Sequence, residues 1–255
     1  MSKSKAVLFG LNYAYDPQCA LQGCINDVRA MSEFLTTNYK IPCEVYTDDI
    51  QRDKCSALGI VQRLYQLGVE SYRDNLDLVW IHYSGHGSYI RDRNSDEKDG
   101  QDECLVPSDY NRAGLIPDDF ICQLFRCFNP KTRVICIFDC CHSGTIGDVK
   151  YSWEGPRNVQ IENIVCEVPA KVITLSGCLD NQTAADAFNV LGDNKFIGAL
   201  TACLLMAMKQ SKEARTNVFT LCDLVRQNLA SRGFPQRPKL CSSHNLARDS
   251  SFLPM

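Results

Sequence analysis

Two apolar, β-branched runs constrain the fold of this chain most. Val134-Ile135-Cys136-Ile137-Phe138 and Leu76-Asp77-Leu78-Val79-Trp80-Ile81-His82-Tyr83 have the length and composition of buried strands. Each ends abruptly in small and polar residues. The first runs into Asp139-Cys140-Cys141-His142-Ser143-Gly144, the second into Ser84-Gly85-His86-Gly87. Open α/β folds place their sites beyond the carboxyl ends of parallel strands. One strand is therefore expected to deliver a thiol, and the other an imidazole, to the rim of a sheet.

The rest of the chain supports a sheet of that kind. Strand patterns at 6–11, 43–46, 171–176 and 240–243 alternate with helical patterns at 26–39, 55–72, 117–128, 196–209 and 219–230. Val28, Met31, Phe34 and Leu35 recur at helical spacing, as do Leu58, Val61, Leu64, Tyr65 and Leu67. Strands alternating with helices imply βαβ units and a mostly parallel α/β sheet covered on both faces. Residues 88–103 read as a polar loop. Residues 144–168 hold Gly147, Gly155 and Pro156 without periodicity and read as a linker or surface excursion.

Composition narrows the function classes. A net charge of -3 gives no bulk attraction to nucleic acid or to a membrane surface. No apolar run approaches the ~18 residues of a membrane span. The basic start, Met1-Ser2-Lys3-Ser4-Lys5, leads into a first strand and not a signal peptide, so a cytoplasmic location is expected. The 15 Cys include no Cys-x-x-Cys pair and stand beside only four His, which argues against structural zinc. Cys122, Cys127, Cys136, Cys203 and Cys222 lie in apolar runs, where a reduced thiol acts as a small hydrophobe.

The paired thiol and imidazole suit nucleophilic catalysis. A thiol with an ordinary pKa of about 8.5 is mostly protonated at neutral pH, and an adjacent imidazole raises its thiolate fraction or takes its proton. The flanking glycines allow close backbone approach, and N–H groups near Cys141 and Gly87 could form an oxyanion hole.

Four segments together resemble metacaspases, the caspase-fold cysteine peptidases. They are Gly23-Cys24-Ile25-Asn26-Asp27-Val28, His82-Tyr83-Ser84-Gly85-His86-Gly87, Asp139-Cys140-Cys141-His142-Ser143-Gly144, and the stretch from Ser176-Gly177-Cys178 to Ala185-Asp186. The His precedes the Cys by roughly 50 residues, as in caspases. The resemblance implies a caspase-like α/β/α sandwich over 1–255, divided into a large part (1–149), a linker (150–168) and a small part (169–255). It implies Cys141 as nucleophile and His86 as its partner, with Cys140 unassigned and His82 structural. It further implies cleavage after Arg or Lys in protein substrates by a monomer, and a role in programmed cell death. The short segment between the two parts resembles the type I arrangement more than the long-linker type II, and the N-terminal extension of many family members is expected to be absent.

A pocket for a cation needs fixed carboxylates. The resemblance points to Asp27 and Asp139, with Cys24 and Ser84 beside them. Asp27 also stands where an acid would cap the first helix. The loop from Asp92 to Glu103 is rich in acids, but an EF-hand reading fails because its sixth position is Glu97 and its flanks are not helical. The resemblance instead implies a Ca2+ site from Asp102, Asp118, Asp119 and Asp148, with Asp99 and Glu103 as neighbours of Asp102. Asp118 and Asp119 also fit a helix start. Calcium would order the segment after Cys141, and Lys150 and Arg157 within that segment are expected self-cleavage points. The rival readings are an inactive caspase-fold binding protein, a calcium-independent paracaspase-like peptidase, and a redox sensor using Cys140 and Cys141. Disulfide geometry disfavours the last. A serine hydrolase lacks its Gly-x-Ser-x-Gly elbow.

Overall fold

The apolar runs form the middle of one sheet. A computed structural model describes residues 3–91, 100–141, 144, 146–163, 167–177, 186–188, 190–191, 195–211 and 217–253. In chain order the elements are β1 (Ser4–Gly10), α1 (Cys24–Tyr39), β2 (Cys43–Thr47), α2 (Ala57–Arg73), β3 (Leu78–Ser84), β4 (Gly87–Arg91), β5 (Gln101–Leu105), α3 (Tyr110–Ala113), β6 (Ile116–Pro117), α4 (Asp118–Phe125), β7 (Arg133–Asp139), β8 (Tyr151–Gly155), β9 (Asn158–Ile161), β10 (Lys171–Ser176), β11 (Asp186–Phe188), β12 (Phe196–Gly198), α5 (Ala199–Gln210), α6 (Val218–Ser231) and β13 (Lys239–Ser242).

The main sheet has eight strands in the order β2-β1-β3-β7-β10-β13-β8-β9. The first five run parallel, and β13, β8 and β9 add on antiparallel. Alternate residues of the central strands feed two cores. Ala6, Leu8, Trp80, Ile135 and Ile137 face α1, α5 and α6, whereas Val7, Phe9, Val79, Ile81, Val134 and Phe138 face α2 and α4. A strand buried on both faces reads as a continuous apolar run, which is why β3 and β7 were so visible in sequence. The result is the expected α/β/α sandwich. No helix among the described residues is long and apolar enough to cross a membrane.

Three expectations are corrected. Residues 144–168 are not a plain surface excursion, because β8 and β9 form a hairpin that extends the main sheet. Trp153 anchors it, packing edge-on against Phe219 at 5.4 Å. A single inward aromatic in five residues is too little periodicity to detect. Residues 88–103 are not only loop, since β4 and β5 pair antiparallel and join β6 in a small sheet. Cys122 is not a free small hydrophobe but is disulfide-bonded. Among the described residues, free thiols occupy twelve other positions, most of them buried.

Candidate active site

Register brings the two strand ends together. β3 pairs with β7 in parallel from Leu78↔Arg133 to Ser84↔Asp139, so His86 and Cys141 each lie two residues past the same rung. Gly85 N donates to Asp139 O (3.3 Å) just beyond that rung. Gly87 then passes so close to Cys141 that a Cβ there would collide with the Cys141 carbonyl oxygen. Cys141 is half-buried, while Cys140 is buried in the core on the α2/α4 face.

His86 is held on several sides. Its Nε2 lies 2.6 Å from Cys19 O. A carbonyl only accepts, so Nε2 carries the hydrogen and the lone pair of the neutral ring is on Nδ1. Its backbone N–H donates to Tyr13 Oη (3.0 Å), and its carbonyl accepts from Tyr83 Oη (2.9 Å) and from Val106 N (3.2 Å). The Tyr13 ring packs on the imidazole, centroids 4.8 Å apart. Burial pushes both tyrosine hydroxyls well above their ordinary pKa, so they stay neutral hydrogen-bonding groups. Tyr13 itself sits at φ 51°, a conformation uncommon outside glycine. Asp48 holds it there by accepting from Asn12 N (2.9 Å) and Tyr13 N (2.7 Å).

The two candidate pocket carboxylates meet at the start of α5. Asp27 is fully buried and Asp139 nearly so. Ser84 Oγ donates to Asp27 Oδ2, and Gly198 N donates to Asp27 Oδ1 (2.6 Å). Thr201 donates twice to Asp139 Oδ2, from its backbone N (2.8 Å) and from Oγ1 (2.7 Å). Gly198 lies between the two acids, and a Cβ on it would collide with Asp139 and press on Asp27. The expected cap role of Asp27 does not hold. Gly23 is the N-cap of α1 without a side-chain cap bond, and the Asp27 carboxylate turns to β3 and α5. Asp139 instead serves the first turn of α5, where an anion opposes the positive end of the helix dipole. Cys24, also buried, opens α1 one turn before Asp27.

His82 is structural. Because the Thr201 hydroxyl hydrogen goes to Asp139, His82 Nε2 donates to Thr201 Oγ1 (3.2 Å). Its Nδ1 is buried without a hydrogen-bond partner among the described residues. Burial lowers its pKa from 6.5 to about 3, so the ring is neutral.

The expected calcium ligands come from β5, from α4 and from the segment between β7 and β8. Asp102 on β5, Asp118 at the start of α4 and Asp148 are buried, and Asp119 is half-buried. Asp118 Oδ1 accepts from Asp119 N (2.9 Å), and Asn163 Nδ2 donates to Asp148 Oδ1. Asp148 is left-handed at φ 48°. Cys122 Sγ, one turn along α4 from Asp118, lies 3.4 Å from Asp148 O. The Cys104 thiol between β5 and α4 is pushed up to about 12, first by burial and then by Asp118, Asp102 and Glu103. Hard oxygen donors from three elements suit calcium, and burial of their charge calls for a cation. No group of three candidate ligands stands close enough to hold a metal ion among the described residues.

Residues 92–99 of the acidic loop, His142, Ser143 and residues 178–185 of the second-half motif lie outside the described residues. Sequence reasoning missed Tyr13, the Cys19 carbonyl, Gly198 and Thr201. Tyr13 was findable, since it follows the end of β1, which neighbours β3. A backbone carbonyl and a distant helix start carry no local signal.

The comparisons with known proteins agree with this architecture. A family model described as "Metacaspase, peptidase C14 domain" matches residues 4–150. Metacaspase-1 of Ajellomyces capsulatus is 30% identical over 97% of this chain and 82% of its own length. Metacaspase-1 of Mycosarcoma maydis is 31% identical over 98% and 73%. Among solved structures, caspase-1 of Spodoptera frugiperda superposes with TM-score 0.59 at 12% identity, covering 98% of this chain and 90% of its own. A Geobacter sulfurreducens protein superposes with TM-score 0.65 at 21% identity, covering 98% and 100%.

Proposed function

This chain belongs to the metacaspase family of cysteine peptidases, and we propose that it cleaves proteins after Arg or Lys through Cys141 and His86, with calcium required for turnover. The observation that carries the specificity is the meeting of Asp27 and Asp139 around Gly198, next to the strand ends bearing Cys141 and His86. Two buried carboxylates with fixed hydrogen-bond donors are a costly arrangement. A guanidinium or ammonium entering between them offsets that cost, and carboxylate oxygens can accept further hydrogen bonds. Ser84, which donates to Asp27, and Cys24, one turn before it on α1, are the further residues of the proposed pocket.

In the proposed reaction the Cys141 proton passes to His86 Nδ1, and the thiolate adds to the scissile carbonyl carbon. Collapse of the adduct breaks the C–N bond, and His86 returns the proton to the departing amine. Water then adds to the thioester, losing a proton to His86, and the acid product leaves as the Cys141 thiol is restored. Asp102, Asp118, Asp119 and Asp148 would hold calcium, which supplies charge neutralisation and order next to the nucleophile. Self-processing follows at Lys150, just before β8, or at Arg157, exposed in the β8–β9 turn.

The test is turnover of fluorogenic peptides ending in Arg, Lys or Asp, with calcium or with a chelator. Cleavage of the Arg and Lys peptides alone, lost on chelation and in Cys141→Ala, is expected. Turnover indifferent to chelator would leave a paracaspase-like peptidase, and folded, calcium-loaded protein inert to every peptide would leave a binding module. A Cys141→Ala chain that still fragments would refute self-processing.

A further inference from the structure

We propose that the free edge of β9, with the cavity beside it, is a docking site for an extended acidic–aliphatic peptide segment of another protein. β9 is the last strand of the main sheet and pairs only with β8 among the described residues. Its four residues, Asn158-Val159-Gln160-Ile161, hold no charge and no proline, the usual guards of an exposed edge. Val159 and Ile161 are 42% and 54% exposed, on one face of the strand.

Backbone direction makes this edge usable. Glu162 N donates to Lys150 O (2.9 Å), so Glu162 and, by alternation, Gln160 turn their polar groups toward β8. Val159 and Ile161 therefore point N–H and C=O outward. An incoming strand finds two donors and two acceptors in register, with its side chains alternating over the Val159 face.

That face leads to a cavity of about 490 Å³ whose lining includes Trp153, Pro156, Val159, Leu246, Arg157 and Arg248. Trp153 and Leu246 are buried and give it an apolar floor. The two arginines set the sign of the occupant. Nearby Arg226 and Arg237 are paired with Asp223 (3.6 Å) and Glu154 (2.6 Å). Arg157 and Arg248 make no ion pair among the described residues. In a chain of net charge -3, two unpaired guanidiniums on one cavity form a local positive site. Arg157 lines the same cavity as Val159, and Val159 and Ile161 share one face of β9, so the complementary strand carries carboxylates at one end and aliphatics at alternate positions beyond it. This site is at the opposite side of β10 from the strand ends that carry Cys141 and His86, and it needs no peptidase activity.

The experiment uses full-length Cys141→Ala protein, so that cleavage at Arg157 cannot remove the site. The probe is a fluorescein-labelled peptide Asp-Thr-Asp-Thr-Val-Thr-Ile-Thr, which contains no Arg or Lys; binding is read by anisotropy. Saturable binding is expected, weakened at least about tenfold (~1.4 kcal/mol) in R157E/R248E and in V159K/I161K. The Lys-for-Asp peptide and a peptide N-methylated on the strand-pairing amides are expected not to bind. Thermal midpoints matching the parent protein establish that the exposed substitutions leave the fold intact. No saturation by about 1 mM peptide, or equal binding by all variants, overturns the proposal. A sedimenting dimer of the parent protein that V159K/I161K abolishes also overturns it, by assigning the edge to a second copy of the chain.

Discussion

Tyr13→Phe removes one oxygen atom that serves three partners. Tyr13 Oη donates to Val106 O (2.6 Å), accepts from His86 N–H (3.0 Å) and lies 3.0 Å from Tyr83 Oη. Without it, the single Tyr83 Oη hydrogen can turn from His86 O to Val106 O (2.9 Å), while His86 O keeps the Val106 N–H (3.2 Å). The His86 N–H, part-buried, has no such substitute among the described residues and loses its acceptor. That costs about 1–3 kcal/mol. In a chain of this size each kcal/mol lowers the melting temperature by roughly 2–4 °C, so a drop of about 2–12 °C is expected. The phenylalanine ring still packs on the imidazole, so the ring is loosened and not lost. If half or more of the cost appears at His86 in the transition state, kcat falls about tenfold. KM should hardly change, because Tyr13 makes no hydrogen bond to Asp27 or Asp139. Calorimetry and steady-state kinetics on an Arg peptide test both parts. A variant with parental melting temperature and kcat, or one whose whole loss lies in KM, refutes this account of how His86 is positioned.

Replacing either pocket acid, by Asp139→Asn or Asp27→Asn, should cut kcat/KM for Arg peptides about 30- to 1000-fold, the 2–4 kcal/mol of a truncated buried charge pair; equal turnover of Arg and citrulline peptides by the parent enzyme would remove the basis for this. Gly87→Ala should lower kcat about 100-fold or more, because its Cβ would push the Cys141 backbone aside, and a fully active variant would contradict the close approach of the two strand ends. Acid should destabilise the protein through His82. Its folded pKa of about 3 lies below the ordinary 6.5, so the unfolded chain takes up a proton that the folded one refuses. Stability is complete above about pH 6.5 and falls as pH drops toward 3, by up to about 1.4 kcal/mol per pH unit. Urea midpoints measured across that window should fall less steeply in His82→Leu; parallel curves would mean that His82 is not buried neutral. Glu44 adds to the loss at lower pH. Burial alone would raise its pKa, but hydrogen bonds from Arg63, Lys5 and Tyr46 outweigh this and hold it at about 2, so its contribution is lost as pH falls from 4.5 through 2.

Local pattern carried much of this molecule. β3 and β7 were legible because strands buried on both faces are apolar throughout, and their ends were legible because Cys141 and His86 interrupt such runs with small and polar residues. The helical stripe of Val28, Met31, Phe34 and Leu35 gave away α1 in the same way. What lay beyond reach depended on contacts between residues far apart in the chain. Nothing near Asp139 in sequence reveals that Thr201, some 60 positions on, brings its N–H to that carboxylate while Gly198 brings its own to Asp27. Nothing near His86 reveals that a carbonyl at Cys19 selects its tautomer. The β8–β9 hairpin escaped notice because strand pairing is satisfied by backbone groups that every residue has, and only Trp153 marks which face is inward. The sequence by itself determined which elements form and which side chains stand at their ends, since periodicity and composition act over a few residues. Only the tertiary structure decided how those ends are held, which charges face one another, and that, among the described residues, the β9 edge pairs with no further strand and lies beside two arginines without an ion pair.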